Sequence, residues 1–226
     1  RMLRNALRTK RINRRAHGEL LDKIENIVPT EKPGYSVHRR PPEQTRALAG
    51  IFWPLVVTTN YDDVLLDAQK RSFPSQPELL GRNRTDCQAV LRSLDHPSAR
   101  IHWAVQGFLG GQAGVPVKDD PVPPLFDEVV VGHRQYQRAI HDAPHFRRVF
   151  AEVFQRKSFM FVGSGLSDPY LVDLFSEIRH YFGPSLHPHY AFFCEDELTD
   201  IDVDFLQRRL GITAVSYGDG YDKLAP

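Results

Sequence analysis

The chain has 226 residues, of which 41% are hydrophobic and 25% charged, with a formal net charge of +1 at pH 7; this is the composition of an ordinary globular domain with a real core and no general polyanion partner. Its two cysteines, Cys87 and Cys194, lie far apart and outside any C-x-x-C pair, which argues against a thiolate zinc site and a disulfide framework and fits a reducing cytoplasm. There is no run of about 18 apolar residues to span a membrane, and no secretory signal opens the chain, so a cytoplasmic location is expected.

Basic residues crowd the beginning: Arg1, Arg4, Arg8, Lys10, Arg11, Arg14 and Arg15 precede any acid. They read as a solvated helix face or a subunit interface. No aromatic residue is interleaved for base stacking, so direct nucleic-acid binding is not expected. The chain starts inside what reads as a helix, and residues 1–44 form an N-terminal helical and loop part, with Pro29, Pro33, Gly34, Pro41 and Pro42 marking a loop over 29–42.

The first buried strand is Pro54 to Thr59, followed by a helix near Asp62 that carries Val64, Leu65 and Ala68. Further strands are predicted at Arg100 to Val105, Glu128 to Val131, Ser158 to Gly163, His189 to Cys194 and Ile212 to Tyr217. Several are continuous apolar runs, as expected where helices cover both faces of a parallel sheet. The glycine- and proline-rich stretch 110–127 interrupts the alternation as a long loop. Phe146, Val149, Phe150, Val153 and Phe154 make one helical apolar stripe, and Leu171, Leu174, Phe175, Ile178 and Phe182 make another. Asp168 suits the cap of this second helix and Pro169 its first position. The fold class expected is α/β: a Rossmann-like, doubly wound, mainly parallel sheet with helices on both faces and a helical and loop insertion, organised as one domain.

Three segments carry polar groups to strand ends, where open α/β sheets bind ligands. In Thr58-Thr59-Asn60-Tyr61-Asp62 a strand delivers the Asn60 amide, which donates and accepts hydrogen bonds, although an Asn here also serves as a helix cap. In Val162-Gly163-Ser164-Gly165-Leu166-Ser167-Asp168-Pro169 the glycines let backbone N–H groups approach a ligand, and a helix N-terminus favours anionic oxygens. The third segment, His102-Trp103-Ala104-Val105-Gln106-Gly107, offers His102 as a base near neutral pH or as a packed, hydrogen-bonded strand residue. Strand alternation puts His102, Ala104 and Gln106 on one face. His187-Pro188-His189 lacks carboxylate or thiolate company, so no metal site is expected.

Together these segments resemble the sirtuin-like superfamily, in particular the bacterial branch of anti-phage defence systems. The motifs that carry the resemblance are Thr58 to Asp62 and Val162 to Pro169, followed by the strand His189-Tyr190-Ala191-Phe192-Phe193 and the closing strand and turn Val215 to Gly220. It covers roughly residues 45 to 222. The resemblance implies NAD as substrate and cleavage of its nicotinamide–ribose bond, with Asn60, His102 and Asp62 as catalytic residues. Thr58, Thr59, Gly107, Gly163, Ser164, Ser167 and Asp168 would then bind the cofactor. Asn60 and Ser164 are expected in one crevice. Such domains work as homo-oligomers or with a sensing partner such as an ATPase or an Argonaute-like protein.

The sequence departs from the family pattern twice. The family opens with a strand and a Gly-Ala-Gly-type loop over the NAD pyrophosphate, which is not found before Arg1. The family's catalytic histidine stands just before the glycine matched by Gly107; here that residue is Gln106, with Ala104 two residues earlier. The alternatives are a non-catalytic nucleotide sensor or assembly module, and a lysine deacylase, against whose usual four-cysteine zinc module the two unpaired cysteines argue.

Overall fold

The computed structural model describes residues 41–96, 98–108, 125–130, 133–140, 142–164, 166, 168–220 and 223. The expected helix before residue 41, the body of the 110–127 loop, Val131, Gly165 and Ser167 lie outside the described residues. The described chain is α/β and Rossmann-like: seven α-helices alternate with two open, all-parallel, three-stranded sheets. It divides between Ala139 and Ile140 into two compact units.

The first unit begins with helix α1 (Glu43–Ala49) and strand β1 (Leu55–Thr58). Helix α2 (Val64–Ser72), strand β2 (Glu78–Leu80), helix α3 (Arg84–Ser93) and strand β3 (Ile101–Ala104) follow, and helix α4 (His133–Ile140) closes it. The strand order is β1-β3-β2, with Val57 and Leu80 both opposite Trp103. Every residue of β3 is buried, as a central parallel strand covered on both faces requires. Trp103 is the largest of them and is fully buried. Its indole N–H donates to the Gly81 carbonyl at 2.8 Å, so its apolar area is buried without an orphaned donor.

β2 was not among the expected strands. Glu78-Leu79-Leu80 is too short to show a period, and only pairing with β3 makes it a strand. The expected strand at Glu128 to Val131 is not found over its described residues. Phe126–Glu128 is a 3₁₀ turn, and Val129 and Val130 are buried outside any ladder. An apolar run of three valines reads the same whether its backbone pairs in a sheet or not. Here the Val130 N–H goes to the carbonyl of Gln106 at 2.9 Å, just beyond β3.

The second unit runs α5 (Pro144–Arg156), β4 (Met160–Phe161), α6 (Pro169–Phe182), β5 (His189–Phe193), α7 (Asp200–Phe205) and β6 (Ile212–Ser216). Its strand order is β4-β5-β6. The predicted stripe on α5 is the buried face, with Phe146, Val149, Phe150, Val153 and Phe154 all in the core. On α6, Leu174, Phe175 and Ile178 are buried, whereas Phe182 at the helix end is exposed. Phe154 stacks on Phe175 at 4.9 Å between centroids and on the His189 ring at 3.9 Å. Such ring pairs contribute about 0.5–1.5 kcal/mol each beyond burial. No helix among the described residues is long and apolar enough to cross a membrane.

Candidate functional site

The carboxyl end of β1 leads into a tight turn. The Asn60 N–H donates to Thr58 Oγ1 at 3.1 Å, so Thr58 is a buried residue that shapes the turn. This leaves the Asn60 residue exposed at the strand end, and Thr59 half-buried before it. Asp62 Oδ1 accepts the Val64 N–H at 3.0 Å, a local bond that satisfies a donor in the first turn of α2. The neighbouring Asp63 carboxyl is raised above its ordinary pKa, first by burial and then by the charges of Asp67 and Asp62.

Tyr61, between Asn60 and Asp62, reaches across the unit. Its hydroxyl donates to the Val130 carbonyl and lies 3.3 Å from Gln106 Oε1. Gln106 Nε2 in turn donates to the hydroxyl of Tyr136 on α4. β3 ends at Ala104, and a turn closed by the Gly107 N–H on the Ala104 carbonyl at 3.2 Å carries the chain on. Gln106 therefore stands in this turn, so strand alternation does not decide its direction. Tyr61 is part of the Thr58-to-Asp62 motif, but nothing in the spacing of Tyr136, thirty residues beyond Gln106, links it to the site.

His102 lies deep in the fold. The residue is 1% exposed, and Nδ1 is 3.0 Å from Gln69 Oε1 on α2. Burial, with a smaller contribution from Lys70, pushes its pKa down to about 4. Ala104 is fully buried in an apolar cluster with Leu66 and Phe108, against which Leu79 and Leu125 pack. Of the three positions expected on one face, only Gln106 meets polar side chains from other segments near Asn60.

Gly107 has φ +88°, and a Cβ there would stand 2.4 Å from the Val129 backbone nitrogen. Its glycine thus has a packing cause. The carboxyl end of β2 is tied to the same 125–130 segment: Glu128 accepts from the Arg82 backbone N–H, and its carbonyl from the Arg82 guanidinium. These residues, too, had no sequence signal.

In the second unit, Gly163 is left-handed with φ +67°, and among the described residues nothing lies within 4 Å of where a Cβ would be. Its backbone is thus open to the close approach of a ligand, and Ser164 beside it is exposed. Asp168 caps α6 as expected, Oδ1 accepting the Tyr170 N–H at 3.0 Å, with Pro169 in the first turn. His189 is buried, with Nδ1 accepting the Phe159 N–H at 3.1 Å. Among the described residues no group of three His, Cys, Asp or Glu side chains could hold a metal ion.

A sequence model of the SIR2-like domain family matches residues 54–215, well over half of the chain and the whole span from β1 into β6. The chain belongs to the SIR2-like domain family. No curated protein matches it. The SIR2-like domain is an NAD-related fold, and the matched span includes the Thr58 turn, the β3 exit and the Gly163 turn.

Proposed function

We propose that this SIR2-like domain hydrolyses NAD+ to nicotinamide and ADP-ribose, as an effector of anti-phage defence. Water attacks the ribose carbon as the carbon–nitrogen bond to nicotinamide breaks; the bonding pair leaves on the nicotinamide nitrogen, and the water proton passes to solvent. The transition state is oxocarbenium-like, so the protein has mainly to hold the ribose and place the nucleophile. The observation that carries the reading is the exposed Asn60 at the carboxyl end of β1, on a turn fixed by Thr58.

In this reading Asn60 orients the water or a ribose hydroxyl. Asp62 fixes the turn through its bond to the Val64 N–H and adds negative charge beside the developing cation. Gly163, Ser164, Ser167 and Asp168 contact the adenosine half, as the resemblance implies, and Thr59 and Gly107 line the ribose side. His102, sealed against Gln69, serves the reaction through the placement of β3 rather than as its base. The domain acts as a homo-oligomer or with a sensing partner.

One observation favours a second reading, a non-catalytic nucleotide sensor: Gln106, which cannot take up a proton near neutral pH, stands at the family's histidine position. Nicotinamide release from NAD+ separates the two, since a sensor binds NAD+ or ADP-ribose without releasing nicotinamide. Deacylation of an acyl-lysine peptide that is lost on chelation would replace both with the deacylase reading.

A further inference from the structure

The turn that carries Asn60 and the exit of β3 are joined by hydrogen bonds with Gln106 at their centre. The Val105 N–H donates to the Thr58 carbonyl at 3.1 Å, which lays the β3 exit beside the end of β1. The Tyr61 hydroxyl donates to the Val130 carbonyl and faces Gln106 Oε1, while the Val130 N–H donates back to the Gln106 carbonyl. Tyr136 accepts from the other end of the same carboxamide. Gln106 is buried, so each bond lost there leaves a polar atom without water to replace it.

We infer that Gln106 is a positioning residue: held by Tyr136, it holds Tyr61 and so fixes the turn that presents Asn60. A neutral carboxamide suits this role because one end accepts and the other donates at once. The hydroxyl of Tyr61 has a single hydrogen, shared between the Val130 carbonyl and Gln106 Oε1. Loss of the Gln106 acceptor therefore weakens the hold on Tyr61 without abolishing it. The consequence for turnover rests on the NAD-hydrolase reading; the consequence for the turn does not.

The test uses the full chain with Gln106→Met, which keeps length and volume but has no comparable donor or acceptor, and Tyr61→Phe, which removes one oxygen. Amide hydrogen exchange at residues 59–61 is measured together with kcat and KM for nicotinamide release and the thermal midpoint. Exchange at 59–61 is expected to rise about tenfold in Gln106→Met and Tyr61→Phe, with exchange in α5 unchanged. Turnover should fall about tenfold in kcat with KM nearly constant. Exchange at 59–61 unchanged in both Gln106→Met and Tyr61→Phe overturns the inference. If Gln106→Met does not fold, Tyr61→Phe alone decides. If exchange rises as stated but the unaltered chain neither binds nor cleaves NAD+, the positioning of the turn stands and the hydrolase reading falls.

Discussion

The His102 imidazole and the Gln69 carboxamide are hydrogen-bonded at 3.0 Å, each residue only 1% exposed. This pair ties β3 to α2 and is kept together by a neutral ring. An unfolded chain protonates its histidines near pH 6.5, whereas His102 in the fold does so only near 4. Between these values the unfolded state binds more protons, so stability is full above about 6.5 and declines as the pH falls towards 4. His102 contributes at most about 3 kcal/mol of that loss. His189, also lowered to about 4 by burial and then by His187 and Arg179, acts in the same direction. Chemical denaturation at pH 7, 5.5 and 4.5 should show the decline, and His102→Asn should flatten it. An identical pH dependence in that variant would show that His102 titrates normally.

Asn60→Ala should abolish nicotinamide release and shift stability by no more than about 0.5 kcal/mol, because the residue is exposed at a strand end. Turnover and thermal midpoint are compared for the two proteins. A variant that unfolds near ambient temperature would make Asn60 a structural residue.

A histidine at position 106 and one at 104 should behave in opposite ways. Gln106→His places a base among the Tyr61 and Tyr136 hydroxyls and should raise nicotinamide release, by about 10²–10⁴-fold if general-base catalysis is all the chain lacks. Ala104→His forces an imidazole into the Leu66 and Phe108 cluster and should destabilise by about 1–3 kcal/mol without faster release. Faster release from Ala104→His would mean that position 104 opens to the ligand.

Two glycines with positive φ should differ as well. Gly107→Ala brings a methyl to 2.4 Å from the Val129 backbone nitrogen and should cost more than about 2 kcal/mol of stability. Gly163→Ala meets nothing within 4 Å among the described residues and should cost about 1 kcal/mol, from its left-handed backbone. If Gly163 approaches NAD, that variant should instead raise KM for NAD+. An unchanged KM would remove Gly163 from the binding residues.

Local patterns in the sequence determined much of this protein. The 3.6-residue spacing from Phe146 to Phe154 is sufficient to define the buried face of α5, because a helix buries whichever stripe is apolar. Asp168 and Pro169 mark the start of α6 through bonds made within a few residues. The Thr58-to-Asp62 motif likewise shows where β1 ends, since the apolar run gives way there to polar residues. Tertiary structure alone decided what depends on partners distant in sequence. Glu78–Leu80 becomes a strand only beside β3, whereas Val129 and Val130, no less apolar, stand outside any ladder, with the Val130 N–H on the Gln106 carbonyl in the turn beyond β3. His102 and Gln106 are four residues apart and both polar, yet one is sealed against Gln69 and the other meets Tyr61 and Tyr136. β3 ends between them, and a strand's periodicity stops carrying information where the chain turns.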